Sequence, residues 1–463
     1  MDGMTKLVTP RCGDEAQAFL AANDQVASIH VLWTDMCGVQ RGKYLRRDEL
    51  VPAWRDGRFF PISALALDIT GQDVPETGLV WDEGDRDLVL WPVPGSLVQV
   101  PWSEEPAAQY IAHACDRDGS LHYADPRNLL TLIGERYGEL DLTPIGAVEL
   151  EFFLMDRDAA LAGKPMAPKS LVTGARPDQY QAYHLQDLAD FSPFFRDLYA
   201  YAAAQGLPAK TLISEYAPGQ MEIVLRHRAD ILKAADDAIM LKRLIKASAE
   251  RHGLIAAFMA KPYAQWTGCG MHVHVSLADQ AGRNVFAAGD QASSALLHHA
   301  LGGLMAAMAD STLIFAPNAN SYRRFRRNSY APVSVSWGID NRTVSLRIPA
   351  GNPEARHIEH RPAGADANPY LVLAAVLAGI HHGITRKLDP GPPVTGNGYE
   401  QQANRRLSTD WNAAIGSFRR SGLLRDYFGN DFVDCFSTLK EVEADRFNAE
   451  PTERDFNWYL RTV

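Results

Sequence analysis

The chain of 463 residues contains no stretch of eighteen apolar residues, which excludes a membrane-spanning helix read from hydropathy. MDGMTKLVTP has no basic start leading into an apolar run, so a cytoplasmic location is the expectation. Its five cysteines, Cys12, Cys37, Cys115, Cys269 and Cys435, are scattered without any C-x-x-C pair. That spacing excludes a thiolate zinc site and a dithiol redox motif, leaving reduced thiols. Positive charge is also short: 46 Lys and Arg against 56 Asp and Glu give a formal net charge of -10. Non-specific nucleic-acid binding is therefore disfavoured, whereas cationic metabolites are tolerated. There is no G-x-x-x-x-G-K-[ST] motif and no G-x-G-x-x-G following a strand, so a nucleotide would have to be held in another way. Neither a repeat of 20–50 residues nor a low-complexity tract occurs, and DPGPPVTGNG reads as a loop.

What is present is a soluble globular composition, with 46% hydrophobic and 22% charged residues. The length favours more than one domain. Residues 1–118 read as a β-rich unit, carried by ASIHVLWTD, GKYLRRDEL and DLVLWPVPGSLVQVPW. Asp125-Pro126-Arg127 opens a second region, 119–463, in which amphipathic helices alternate with short strands. Long helical patterns are expected from Ala229 to His252, Ser293 to Asp310 and Asn368 to Arg386. The class is α+β.

Four strand segments carry chemistry on one face. In AVELEFFL, period-2 alternation sets Glu149 and Glu151 opposite Val148, Leu150 and Phe152. A lone E-x-E is more often a solvated face, but the apolar run after it argues against plain exposure. SEYAPGQMEIVLRH places Glu215 before a turn and Glu222 on a strand whose other face holds Met221, Ile223 and Leu225. GCGMHVHVSL puts His272, His274 and Ser276 together, and its glycines mark close backbone approach. HIEHRP aligns His357, Glu359 and Arg361, while NRTVSLRIP supplies Arg342 and Arg347. Oxygen-rich sets with a histidine suit magnesium or manganese rather than structural zinc, and arginines beside such a cluster suit phosphoryl transfer.

The order VELEF, SEYAPGQMEI, GCGMHVHVSL, NSYRRF, NRTVSLRIP, IEHRPAGADANPY resembles the glutamine synthetase family over most of residues 25–463. The resemblance implies an N-terminal β-grasp domain and a catalytic domain built on a curved antiparallel sheet with helices. It also implies ring-shaped homo-oligomers, expected as a dodecamer of two hexameric rings, with segment 57–71 reaching a neighbour's site.

Carried over residue by residue, the resemblance implies that Glu151, Glu215 and Glu222 bind a first Mg2+ or Mn2+ and that Glu149, His272 and Glu359 bind a second, with two or three ions per site. Arg324 and Arg361 would grip glutamate carboxylates, and the backbone of Gly268 its amino group. His274, Arg342 and Arg347 would meet the phosphates of ATP, the co-substrate, and Ser276 would lie near the adenine. Arg342 and Tyr330 are the residues expected at the reacting groups.

Departures from the family pattern bear on the nucleophile. Where ammonia-using members have Phe-Asp-Gly-Ser-Ser, this chain has Phe60-Pro61-Ile62-Ser63-Ala64, and where they carry a flap glutamate it has Tyr330 before Ala331-Pro332. Asp-Asn-Gly-Ser-Gly is replaced by Trp266-Thr267-Gly268-Cys269-Gly270. His357 stands where one phosphate-binding arginine is expected, with Arg356 beside it as the substitute. Binding ammonium in a partly dry pocket calls for carboxylates, and both inherited acids are gone. The resemblance and these departures imply an ATP-dependent ligase joining glutamate to a small organic amine, a polyamine such as putrescine first among the candidates, with Phe60, Ile62, Ser63, Ala64, Trp266 and Tyr330 as candidate amine contacts. An ammonia-using glutamine synthetase and a catalytically silent paralogue are the rival readings; the silent one should have lost metal ligands, and all six positions are intact.

Overall fold

The computed structural model describes residues 12–287, 294–400 and 405–463. Two sheets organise it. The first has six strands: β1 (Ser28–Thr34), β2 (Gln40–Arg46), β3 (Arg58–Pro61), β4 (Asp87–Pro92), β5 (Val98–Gln99) and β6 (Ala107–Cys115). Its order is β2-β1-β6-β4-β3, with β5 on the side of β6. The β1/β6 pair is parallel and the remaining pairs are antiparallel. β6, largely small and apolar, is buried along its whole length, with Gln109 and His113 its two buried polar residues.

The second sheet has eight strands: β7 (Thr143–Asp156), β8 (Ala209–Ser214), β9 (Gln220–Leu225), β10 (Leu254–Ala257), β11 (Met271–Ala278), β12 (Trp337–Ile339), β13 (Leu346–Ile348) and β14 (Ile358–His360). Their order is β12-β13-β14-β11-β7-β9-β8, and β10 pairs with the far end of β7. β12 and β13 run parallel, so the sheet is mixed rather than antiparallel throughout; the chain between them crosses over instead of turning back.

The long helices start where their caps place them. Asp230, in extended backbone, accepts from the Leu232 and Lys233 amides, so the helix runs Ile231–Arg251 rather than from Ala229. Asn368 caps Tyr370 and Pro369 occupies the first turn of Pro369–Arg386. Ser294 caps Ala295–Met308; the expected start at Ser293 lies outside the described residues. Buried Asp236 ties three helices together, receiving Arg127 at 2.9 Å and the Tyr370 hydroxyl at 2.7 Å. These helices cover the apolar face of the second sheet, leaving its polar face to form a cavity.

Candidate active site

The alternation legible in the strands is what the structure displays. Val148, Leu150 and Phe152 of β7, Met221 and Ile223 of β9, and Met271, Val273 and Val275 of β11 are buried in the core. The intervening polar residues therefore share the opposite face. Pairing then lines them up across five strands: Glu222 opposite Glu151, Glu149 opposite His272, His274 opposite Glu359, and Glu359 opposite Arg347. Glu215 joins from the end of β8, its amide bonded to the Gln220 carbonyl.

Within this ladder, Glu149 Oε2 lies 3.2 Å from His272 Nδ1, and Glu149 Oε1 lies 3.0 Å from His274 Nε2. Glu151 accepts the Gly270 amide at 2.8 Å. One donor atom each from Glu149, Glu222 and His272 fall within 4.8 Å of one another. Burial raises Glu222, and the charges of Glu149, Glu151 and Glu215 push it further, to about 9. Burial and then Glu151 raise Glu215 to about 7. Burial opposes ionisation of Glu149 as well, but His274 and His272 outweigh it and hold this carboxyl far below its ordinary value. The protein's own imidazoles thus satisfy Glu149, whereas at Glu215 and Glu222 burial and acid–acid repulsion prevail, with Arg342 a partial offset at Glu215, so these carboxyls hold protons until a cation replaces them. Carboxylates with a single imidazole, short of positive charge, fit hard divalent ions.

Arginines border the acids. Glu359 is gripped by Arg361, and Arg347 donates to it at 2.7 Å. Burial disfavours its charge, yet Arg361, then His272 and His274, bring it down to about 2. Arg324 is buried, donating to the Pro362 carbonyl at 2.8 Å. Arg342 is exposed at the cavity edge. A Cβ on Gly268 would sit 2.6 Å from the Ala260 carbonyl oxygen and 2.9 Å from Arg324 Cγ; one on Gly270 would sit 2.8 Å from the Arg324 guanidinium and 2.9 Å from His272 Nε2. Only glycine allows this loop to lie against both the arginine and the histidine.

The cavity so formed is about 440 Å³. All six expected metal positions meet in or beside the acidic ladder, and Gly268, Arg324, Arg342, Arg347, Arg361 and Tyr330 line the same space. His274 stands behind Glu149 in the ladder, while Ser276 and Arg356 lie outside the lining. Three expected amine contacts are corrected, the first being Ile62, which is buried in the core and does not line the cavity. Phe60 is 2% exposed and packs on Trp33 in the core beside the first sheet, because its strand turns it inward. Trp266 packs on Tyr263 and Phe153, away from the cavity, since those rings offer it an apolar bed. Ser63 and Ala64 are half-buried and do not line the cavity.

Sequence reading missed Tyr183, Tyr216 and Gln220. Tyr216 stacks on Tyr330, ring centroids 5.8 Å apart and planes at 22°. Its bond to the Tyr330 hydroxyl, with burial second, raises the Tyr216 phenol above its ordinary value. Gln220 donates to the Gly268 carbonyl at 3.0 Å and accepts from Thr267, fixing the glycine loop. Tyr216 and Gln220 sit inside the quoted SEYAPGQMEI motif, so the signal was there; Tyr183 lies in a stretch without periodicity.

The glutamine synthetase catalytic-domain model matches residues 123–459, the region that holds the second sheet and every residue lining the cavity. The chain belongs to the glutamine synthetase family. Enzymes of this family use ATP and divalent metals, in keeping with the acidic cluster. Within it, the chain is 38% identical to γ-glutamylputrescine synthetase of Escherichia coli K12, covering 97% of this chain and 95% of that protein. It is 35% identical to glutamate–isopropylamine ligase of a Pseudomonas species, covering 95% and 96%. A solved structure of a GmaS–ADP complex superposes with a TM-score of 0.84 at 27% identity, covering 97% of this chain and 99% of that one. No described helix is long and apolar enough to cross a membrane.

Proposed function

We propose that the chain is a glutamate–amine ligase: it uses ATP to join the γ-carboxylate of glutamate to an organic amine. The observation that carries this reading is the chemistry of the cavity wall. Among the described residues, the acids lining it are Glu149, Glu151, Glu215, Glu222 and Glu359, and all belong to the candidate metal set. None is left over to hold ammonium. The remaining wall includes Tyr183, Ile213, Tyr216, Val224 and Tyr330, surface suited to carbon. The two relatives' names, a putrescine and an isopropylamine ligase, support the same substrate class.

In this reading the γ-carboxylate of glutamate attacks the γ-phosphorus of ATP, giving an acyl phosphate and ADP. The neutral amine then attacks the acyl carbon, the carbon–oxygen bond to phosphate breaks, and the proton given up by nitrogen leaves with the phosphate as hydrogen phosphate. Arg324 and Arg361 orient glutamate, with the Gly268 backbone against its amino group. Arg342 and Arg347 face the phosphates, and preorganised cations of this kind are the largest expected contribution to rate. The six carboxylate and histidine ligands would hold Mg2+ or Mn2+, which supply positive charge to phosphate oxygens. Residues 1–118 act as a separate domain whose 57–71 segment completes a neighbour's site in a ring of cytoplasmic subunits.

Glutamate-dependent phosphate release from ATP, measured with putrescine, isopropylamine, ethanolamine, methylamine and ammonium, tests the reading. At least one organic amine should exceed ammonium in kcat/KM by tenfold or more. Ammonium matching the best organic amine would overturn it.

A further inference from the structure

Tyr216 follows β8 and Tyr330 follows Arg324-Phe325-Arg326-Arg327, yet their rings lie 5.8 Å apart, tilted by only 22°. A ligand between two rings needs about 3.5 Å on each side, about 7 Å in all, so nothing enters between them. They form one aromatic slab. It stands at the cavity mouth, with Tyr216 37% and Tyr330 48% exposed. Ile213, paired opposite Glu222, and Val224, paired opposite Glu149, add apolar surface to the same cavity.

The slab is held at a conformational cost. Tyr330 has φ of 59°, a left-handed backbone in which a bulky residue is an outlier. Its neighbours hold it there: Arg361 donates to the Tyr330 carbonyl at 3.4 Å, and the Tyr399 hydroxyl donates to the Ala331 carbonyl at 3.0 Å. Tyr183, on the same cavity, also has φ of 59°. Glycine would occupy either position without strain, so what tyrosine adds there is its ring.

Resting on the glutamate–amine ligase reading, we infer that the Tyr216–Tyr330 slab selects the amine by chain length: it accepts primary amines whose carbon chain lies along the rings and whose far end emerges into water. A second ammonium at that far end needs no carboxylate partner, because it stays hydrated at the mouth and rests over ring faces. Ammonium has no carbon to lay on the slab, and methylamine has a single methyl group. Chain length is then read additively, at about fourfold per buried methylene.

The test is kcat/KM for methyl-, ethyl-, propyl- and butylamine, with 1,4-diaminobutane and ammonium, in the wild type and in variants. Butylamine should exceed methylamine about sixtyfold, and 1,4-diaminobutane should fall within about fivefold of butylamine. In Tyr216→Ala/Tyr330→Ala the butylamine-to-methylamine ratio should collapse below about fivefold, while Tyr216→Phe and Tyr330→Phe keep it. Both rings are partly exposed, so truncation leaves the core intact. An unchanged ratio in the double alanine variant, or a ratio lost in the phenylalanine variants, would overturn the slab while leaving the ligase reading standing. Wild-type protein that prefers ammonium, or releases no phosphate with any amine, would overturn both.

Discussion

Glu149 and His272 face each other directly across β7 and β11, with Glu149 Oε2 3.2 Å from His272 Nδ1. That single pairing fixes the register of the acidic ladder: a slip of one residue would turn every carboxylate and imidazole of β7 or β11 into the core. The site's electrostatics follow from it, because the imidazoles sit on the Glu149 side, while at Glu215 and Glu222 burial and the neighbouring acids prevail, Arg342 offsetting them at Glu215 only in part.

Metal-free protein should lose stability as pH rises from 4.5 to about 9. Glu215 and Glu222 have folded values raised to about 7 and about 9 against 4.5 in the unfolded chain. Across that window the folded state binds more protons than the unfolded, so stability falls with pH. Glu149, depressed, is ionised in the folded state throughout and adds only a small opposite change at the acid end of the window. Divalent ions should abolish the loss. Melting temperatures with chelator and with magnesium check this, and the difference between the two curves removes groups remote from the site. Parallel curves would refute the metal assignment.

Gly268→Ala should destabilise the protein by about 1–3 kcal/mol, because its Cβ would press on the Ala260 carbonyl and the Arg324 stem. Glutamate KM should rise more than ATP KM, since the shift falls on the loop assigned to glutamate. Denaturant titration and steady-state kinetics report the two effects separately.

Arg361→Met removes one of the two guanidinium groups holding buried Glu359. The expected cost is about 2–3 kcal/mol, below that of a fully orphaned buried charge because Arg347 remains. Glu359, held at about 2, stabilises the fold above its unfolded value of 4.5, a contribution lost as pH falls toward 2. The acid-side loss should therefore shrink in the variant, and adding Glu359→Gln should recover part of the stability. Urea melts at pH 3 and pH 7 would show both changes.

Assembly into a ring should be visible by sedimentation velocity, and its shared sites by complementation. Phe59 and Ile69, 58% and 45% exposed in the 57–71 segment, are apolar surface for a neighbour to cover. Mixing refolded Glu151→Ala with Pro61→Arg subunits, each inactive alone, should restore about a quarter of wild-type activity, because one site in four pairs two intact halves. A fully active monomer would refute the shared site.

The sequence by itself determined which residues face the chemistry. Alternation is local: with Val148, Leu150 and Phe152 committed to one face, Glu149 and Glu151 had no choice but the other, and the same holds for Glu222, His272 and His274. Helix starts at Pro126 and Pro369 were equally legible, since a capping side chain and the proline after it lie within one turn. Tertiary structure alone decided which strands became neighbours, and so which carboxylate met which imidazole or arginine. It also decided the apolar residues. Phe60 and Trp266 read as ligand surface until Trp33, Tyr263 and Phe153 claimed them, and Tyr216 became part of a wall only when the loop carrying Tyr330 folded against it. A charged side chain announces its face by the company it avoids, whereas an aromatic ring is at home in a core or a binding wall, and only the partner across from it settles the matter.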